Sequence, residues 1–317
     1  SGRRDTPAAS AKSLGLGAIG FADAYERLRP DLVLIPGDRY EMLAAAATAL
    51  VMGAPIAHLF GGDVTEGAFD DAIRHAITKM ASLHFVTTAQ AGRRVRQMGE
   101  DPTRVHQVGH PALDLMRETP LLDRSRLGAE LPFGFRARNL LVTFHPETAA
   151  PGESARSFGE LLQALDRLGP ETGLIFTRPN ADPEGRRLAA MMMEFVAGHA
   201  NAAAFASLGE QRYWSVMATV DAVVGNSSSG LLETPSFRKP TVNVGDRQKG
   251  RQRAASIIDV PADAAAITGA LERAFALDCA GGVNPYGDGQ SAERIVTILK
   301  DLDWAGLTPR KRFVDLP

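Results

Sequence analysis

DLVLIPGDRYEMLAAAATALVMGAPIAHLFGGD, residues 31–63, carries the reading that decides the fold. An apolar run over 31–37 ends in Pro36-Gly37 and predicts a strand closed by a glycine turn. The alanine-rich stretch 41–52 is long enough for a buried helix, and 55–60 is a second short apolar run. Strand, helix, strand in about 30 residues is a βαβ unit, which requires a parallel sheet covered on both faces.

The alternation continues outward from that stretch. Residues 68–80 have apolar positions at helical spacing, 84–88 read as a strand, and a helix runs through the arginine-rich 92–98. Residues 131–139, LPFGFRARN, interrupt the pattern and mark the expected domain boundary. Beyond it the pattern restarts with strands in NLLVTFHP, GLIFTRPN, AAAFASLG, DAVVGN and PTVNVGD. Helices are expected over 154–168, 185–198, 211–218, from about 229, over 263–276 and over 291–301. The expected fold is α/β, with two Rossmann-like lobes of parallel sheet and the function in the cleft between them. The lobes are placed at 1–132 and 139–299, and a C-terminal helix over 300–317 is expected to return to the first. Met191, Met192 and Met193 read as core, and Arg93, Arg94 and Arg96 as a solvated helix face.

Composition narrows the class. The chain has 317 residues, 44% hydrophobic and 23% charged, with a net charge of -2. These values fit ordinary globular protein and give no basic field for nucleic acid. A lone cysteine, Cys279, cannot form an internal disulfide, and neither a membrane-length apolar run nor a signal-peptide core is present, so the expected location is the cytoplasm.

Ligands of parallel α/β sheets bind at the carboxyl ends of the strands. Asp38 follows one strand, and Asp63 follows the next after Gly61-Gly62. Glu66, Asp70 and Asp71 then lead into a helix carrying Arg74 and His75. Crowded carboxylates raise one another's pKa and can divide acid and base roles, the equipment for taking a proton from carbon. The plain alternative is local: Asp70 with Arg74 and Asp71 with His75 are i,i+4 helix pairs. His58, His75 and His84 lack metal-ligand spacing, so no metal is expected.

In the second half, GNSSSGLLE at 225–233 follows a strand and opens a helix. Small residues, exposed N–H groups and hydroxyls favour an anion there. Ser227, Ser228, Ser229 and Gly230 form the candidate cradle, Glu233 suits a ribose diol, and Arg247 suits phosphate oxygens or the base. A capped helix start is the competing explanation. His145 follows the first strand of this half and is a further site candidate.

Taken together, GDRYEM, GGDVTEGAFDDAIRHAITK, VTFHPET, RPNAD, GNSSSGLLETPSF and NVGDRQKGR resemble the UDP-N-acetylglucosamine 2-epimerase family, nearest its hydrolysing branch in sialic and legionaminic acid biosynthesis. The similarity runs in order along nearly the whole chain. It implies the two-lobed GT-B-like arrangement with UDP held mainly by the second lobe. It implies catalytic roles for Asp38, Asp63 and Asp70, with Asp71 beside them, and Arg39 on the sugar phosphate side. It places His145 beside the diphosphate, Asn180 in the lining, Ser227 and Ser228 on phosphate, Glu233 on ribose and Arg247 near the nucleotide. The implied reaction is elimination of UDP to a 2-acetamidoglucal followed by hydration, giving UDP and the 2-epimerised free sugar without a cofactor. The implied partners are the UDP-N-acetylhexosamine and copies of the chain in a dimer or tetramer.

Asp63 stands where the family often has Glu, one methylene longer. The family also begins with a strand and an arginine-bearing loop not seen here, so the first lobe is expected to lack roughly two βα units of about 30 residues each and this 317-residue chain to turn over poorly. Three alternatives remain: an epimerase of another UDP-2-acetamido sugar, such as the diacetamido precursor of legionaminic acid; a catalytically idle UDP-sugar binder; and a GT-B glycosyltransferase.

Overall fold

Parallel strands account for both sheets of this protein. The computed structural model describes residues 7–64, 69–146, 152–179 and 183–315. In chain order these form α1 (Pro7–Leu28), β1 (Val33–Pro36), α2 (Tyr40–Val51), β2 (Ile56–Leu59), α3 (Phe69–Met80), β3 (Leu83–Val86), α4 (Ala89–Gln97) and β4 (Val105–Gln107). Next come α5 (Ala112–Glu118), α6 (Arg124–Glu130), β5 (Arg138–Thr143), α7 (Glu153–Asp166), β6 (Thr172–Thr177), α8 (Pro183–Gly198), β7 (Ala202–Phe205) and α9 (Gly209–Thr219). The chain continues through β8 (Ala222–Gly225), α10 (Ser228–Leu232), β9 (Thr241–Val244), β10 (Ile257–Val260), α11 (Ala264–Ala276) and α12 (Ser291–Lys300).

The first sheet has the order β1-β2-β3-β4 and the second β10-β9-β8-β5-β6-β7. In the second sheet the order reverses between β5 and β8, which is the doubly wound Rossmann arrangement with its switch point there. The central strands β2, β3, β8 and β9 are buried along their whole length, as continuous apolar runs require when helices cover both faces. Side chains alternate between those faces. Leu140, Val142 and Phe176 pack with Phe158, Leu161 and Ile267, while Leu141, Ile175 and Val223 pack with Leu127, Val216 and Val220. Met192 is buried in this core, Met191 packs against it and Met193 is exposed.

The chain divides into two compact units, one running to Asp114 and resuming at Tyr286, the other spanning Leu115–Pro285. The division therefore falls before the interrupted segment 131–139, because Leu122, Leu127, Leu131 and Phe133 already belong to the second unit's core. The return also begins earlier than 300. Ile295 of α12 and Leu307 pack with Ala57, Leu59, Leu83 and Phe85 of the first sheet. The expected helix over 300–317 is replaced by irregular chain after Lys300.

That irregular tail is held by polar contacts of its own. Glu100, 2% exposed, accepts from Lys79 Nζ at 2.5 Å, from His84 Nε2 at 3.0 Å and from Lys311. Burial is the largest influence on its carboxyl and pushes it up, but these three donors together bring it down to about 2. Lys311 also donates to Ala81 O at 2.6 Å, satisfying a carbonyl at the end of α3 where a cation is favoured. No helix of the described residues is long and apolar enough to cross a membrane.

Candidate active site

Three neighbouring strands of the first unit place their outgoing loops around one arginine. β1 ends at Gly37, whose φ of +83° only glycine adopts without strain and which turns the chain to present Asp38. The turn is held from behind by His58 on β2, which is 0% exposed. His58 Nε2 lies 3.0 Å from Gly37 O and Nδ1 3.1 Å from Thr78 Oγ1. The carbonyl can only accept, so Nε2 carries a proton. Burial pushes its pKa down to about 4, against the opposing pull of the Gly37 carbonyl.

Arg74 of α3 is 5% exposed and is the hub of the cluster. Its Nη2 donates to Asp38, and its Nη1 donates to Asp71 Oδ1 at 2.8 Å and to the Asp63 carbonyl at 2.7 Å. The planar guanidinium is suited to such a shared geometry in a way an ammonium is not. Asp63 Oδ1 accepts from Thr87 Oγ1, beyond the end of β3, at 2.8 Å. Asp70 is partly buried, and its pKa is raised first by burial and then by the charge of Asp38, with Arg74 and Arg39 opposing. The expected Asp71–His75 pair is present at 3.4 Å. Arg74, however, bonds Asp71 and Asp38, because its side chain turns inward across the strand ends. Arg39 is exposed and paired with Glu41 at 3.3 Å. Glu66 and Asn180 lie outside the described residues.

The Gly61-Gly62 turn is a steric requirement. A Cβ on Gly62, at φ +79°, would lie 2.2 Å from Ala91 O. Phe60 before it holds φ 70° without being glycine, strain of the kind that gathers at functional edges, and its ring stacks on His110 at 4.8 Å. Arg94 Nη1 donates to Gly62 O at 3.1 Å, so only Arg93 of the three arginines matches the expected solvated face in full. An open hollow lined by Tyr25, Glu26, Arg29, Asp31, Met52 and Thr308 lies at the amino ends of β1 and β2, away from these carboxylates.

In the second unit, β8 ends at Gly225 with φ +139°, where a Cβ would lie 1.9 Å from Thr143 O. Asn226 follows, 0% exposed. Its Oδ1 accepts from His145 N at 2.7 Å and its Nδ2 donates to His145 O at 2.8 Å. Its own carbonyl accepts from Arg247 Nη1 at 3.2 Å and Gln248 Nε2 at 2.8 Å. Ser227 caps α10, accepting from Ser229 N at 3.4 Å, so the capping explanation is realised in a weak form. The Ser229 hydroxyl is engaged with Tyr213 Oη at 2.6 Å and Ser227 Oγ at 3.0 Å, and burial raises the Tyr213 pKa. Ser227 and Ser228 are half-buried. Gly230 is needed for packing, since a Cβ there would meet Thr241 Cγ2 at 2.8 Å. α10 has only five residues, so its dipole is short and the polar groups of this turn are chiefly its N–H and hydroxyl donors. Glu233 closes α10, and burial raises its pKa. Among the described residues no three His, Cys, Asp or Glu side chains are grouped to hold a metal ion.

Residues 3–300, which include the carboxylates around Arg74 and the serine turn, match the family described as UDP-N-acetylglucosamine 2-epimerase. The chain belongs to that family. A GDP/UDP-N,N'-diacetylbacillosamine 2-epimerase (hydrolyzing) from Campylobacter jejuni is 41% identical over 78% of this chain and 65% of its own length. The corresponding UDP-N,N'-diacetylbacillosamine 2-epimerase (hydrolyzing) from Legionella pneumophila is 34% identical over 92% of this chain and 76% of its own length. The chain thus spans about two thirds to three quarters of these relatives. A crystal structure of UDP-GlcNAc 2-epimerase from Neisseria meningitidis bound to UDP-GlcNAc superposes with a TM-score of 0.79 at 17% identity, covering 95% of this chain and 84% of that one, which establishes the shared GT-B-like fold.

The sequence placed the carboxylates and the serine turn at strand ends, and the structure has them there. The sequence alone understates Arg74 and does not show His58, Thr87, Asn226 and Tyr213 as supports. Placement directly after β3 and β8 could have signalled Thr87 and Asn226; nothing in the position of His58 inside β2 or in the helical spacing of Tyr213 marks either.

Proposed function

We propose that this protein is a hydrolysing 2-epimerase of UDP-2-acetamido sugars, converting UDP-N-acetylglucosamine and water into N-acetylmannosamine and UDP. The observation that carries the reading is the carboxylate array around buried Arg74, Asp38 and Asp71 bonded directly and Asp63 through its carbonyl, in a chain of this family.

A carboxylate takes the C2 proton while the C1–O bond to the diphosphate breaks, giving UDP and 2-acetamidoglucal. Water then supplies hydroxide to C1 as a proton is returned to C2 on the opposite face, so the sequence is redox-neutral. Asp70, whose pKa is raised by burial and by Asp38, is the group best suited to hold a proton between the two stages. Asp63, fixed by Thr87, shares the proton traffic, and Asp38 and Asp71 keep Arg74 in place. In the second unit Ser227, Ser228 and Arg247 hold the diphosphate as charge grows on its leaving oxygen, with His145 beside it and Glu233 on the ribose.

The test is proton NMR in heavy water with UDP-N-acetylglucosamine. One deuterium at C2 of a released N-acetylmannosamine, with stoichiometric UDP, is expected. No UDP release from any UDP-sugar would defeat the reading, and release that depends on an acceptor sugar would make the protein a glycosyltransferase. A second substrate is favoured by the names of the two relatives above, both acting on N,N'-diacetylbacillosamine nucleotides. A higher kcat/KM with UDP-N,N'-diacetylbacillosamine in the same assay would select it. The same reading includes a cytoplasmic homo-oligomer, which light scattering of the purified protein checks.

A further inference from the structure

Asn226 has no part in the chemistry above, yet it is buried more completely than any polar residue of the serine turn. Its carboxamide pairs with both polar groups of one residue's backbone, donating to His145 O at 2.8 Å and accepting from His145 N at 2.7 Å. The partners are 81 residues apart and leave the carboxyl ends of the adjacent strands β5 and β8. A single hydrogen bond would leave the His145 backbone free to pivot; two antiparallel ones fix it as a rigid pair. We propose that Asn226 is a positioning residue that acts through His145, setting that side chain against the anion held by the serine turn. The inference rests on the function proposed above.

The contacts separate this role from general support of the loop. Arg247 and Gln248 bond the backbone carbonyl of Asn226, which every substitution retains. Replacing the side chain therefore removes these two hydrogen bonds to His145 and leaves the Arg247 contact in place. Asp at this position can still accept from His145 N but cannot donate to His145 O, and it faces that carbonyl with an oxygen. Misplacing a catalytic group by about 1 Å costs on the order of 100-fold.

The experiment is a double-mutant cycle of Asn226→Asp and Asn226→Ala with His145→Ala, read as kcat for UDP release, with UDP affinity and thermal unfolding of each variant. Each Asn226 change is expected to lower kcat roughly 10–100-fold with UDP affinity held within about threefold. In the His145→Ala background the same change should lower kcat less than threefold further. Losses that multiply in full, or a kcat unchanged by Asn226→Asp, would overturn the proposal. Amide hydrogen exchange in the unmodified protein gives a second reading that needs neither variant nor turnover. The His145 N–H should exchange slowly, and free exchange would overturn the positioning role by itself. Absence of UDP release from the unmodified protein would instead count against the proposed function.

Discussion

The acidic array of the first unit and the serine turn of the second sit at equivalent strand ends but are built from opposite materials. Around Arg74 the groups are charged, and their protonation depends on burial and on one another. Around Asn226 the donors are amides and hydroxyls, with Arg247 as the charged member bonded to its carbonyl. Donors that keep their protons can hold a diphosphate without exchanging protons with it, whereas proton transfer at carbon requires groups that titrate. On the function proposed above, the same backbone device serves two chemistries, and the side chains on the turn decide which.

The comparison breaks most readily at Arg74. Arg74→Ala leaves two carboxylates without their shared cation and should cost roughly 3–5 kcal/mol of first-unit stability, seen as a lower urea midpoint, with activity lost. Arg74→Lys should fall between, since it keeps the charge and loses the fork. An unchanged midpoint in Arg74→Ala would show that the hub is dispensable. Asp70→Asn tests chemistry without that structural loss. It should reduce C2 deuterium exchange and UDP release by about 10²–10⁴-fold while UDP affinity stays constant; normal exchange would remove Asp70 from the mechanism.

Titration should separate the two units in sign. His58 has a folded pKa near 4, below the 6.5 of an unfolded chain. The folded form thus favours the neutral ring, and that stability is full above about pH 6.5 and lost as pH falls toward 4, by roughly 3 kcal/mol. His84 is lowered by burial as well and acts in the same direction. In the second unit, His199 is raised by its hydrogen bond to Asp166, so its small contribution is present below pH 6.5 and fades as pH rises. Urea unfolding from pH 7 to 4.5 should show the steep acid loss in the wild type, and His58→Gln should flatten it. The smallest effect is expected at Ser227→Ala. Loss of the cap should cost about 1 kcal/mol, and loss of a phosphate donor should weaken UDP about five- to tenfold by calorimetry. Undiminished affinity would move the anion away from Ser227.

Much of this was legible before any coordinates. The β1–α2–β2 unit, the parallel strands β5 to β9 and the carboxyl-end location of Asp38, Asp63 and the serine turn follow from apolar runs separated by glycine turns. The short strands β4 and β10 were not legible: Val105–Gln107 carries one apolar residue of three, and Ile257–Val260, apolar at three of four positions, has no glycine turn to close it. The unit boundary was misplaced for a related reason. Residues 131–139 look like a linker by composition, but Leu131 and Phe133 are core. Whether a segment links or packs depends on what it meets, and local composition does not record that.

By itself the sequence determined the class of fold, the order of its βα units and which residues stand at strand ends, since period and turn chemistry are local properties of the chain. Only the tertiary structure decided that Arg74 bonds Asp38, 36 residues away, as well as its helix neighbour Asp71, and that Asn226 holds His145 across 81 residues. Those pairings depend on the register of parallel strands and on the inward turn of single side chains, which are settled when the sheets pack and not before.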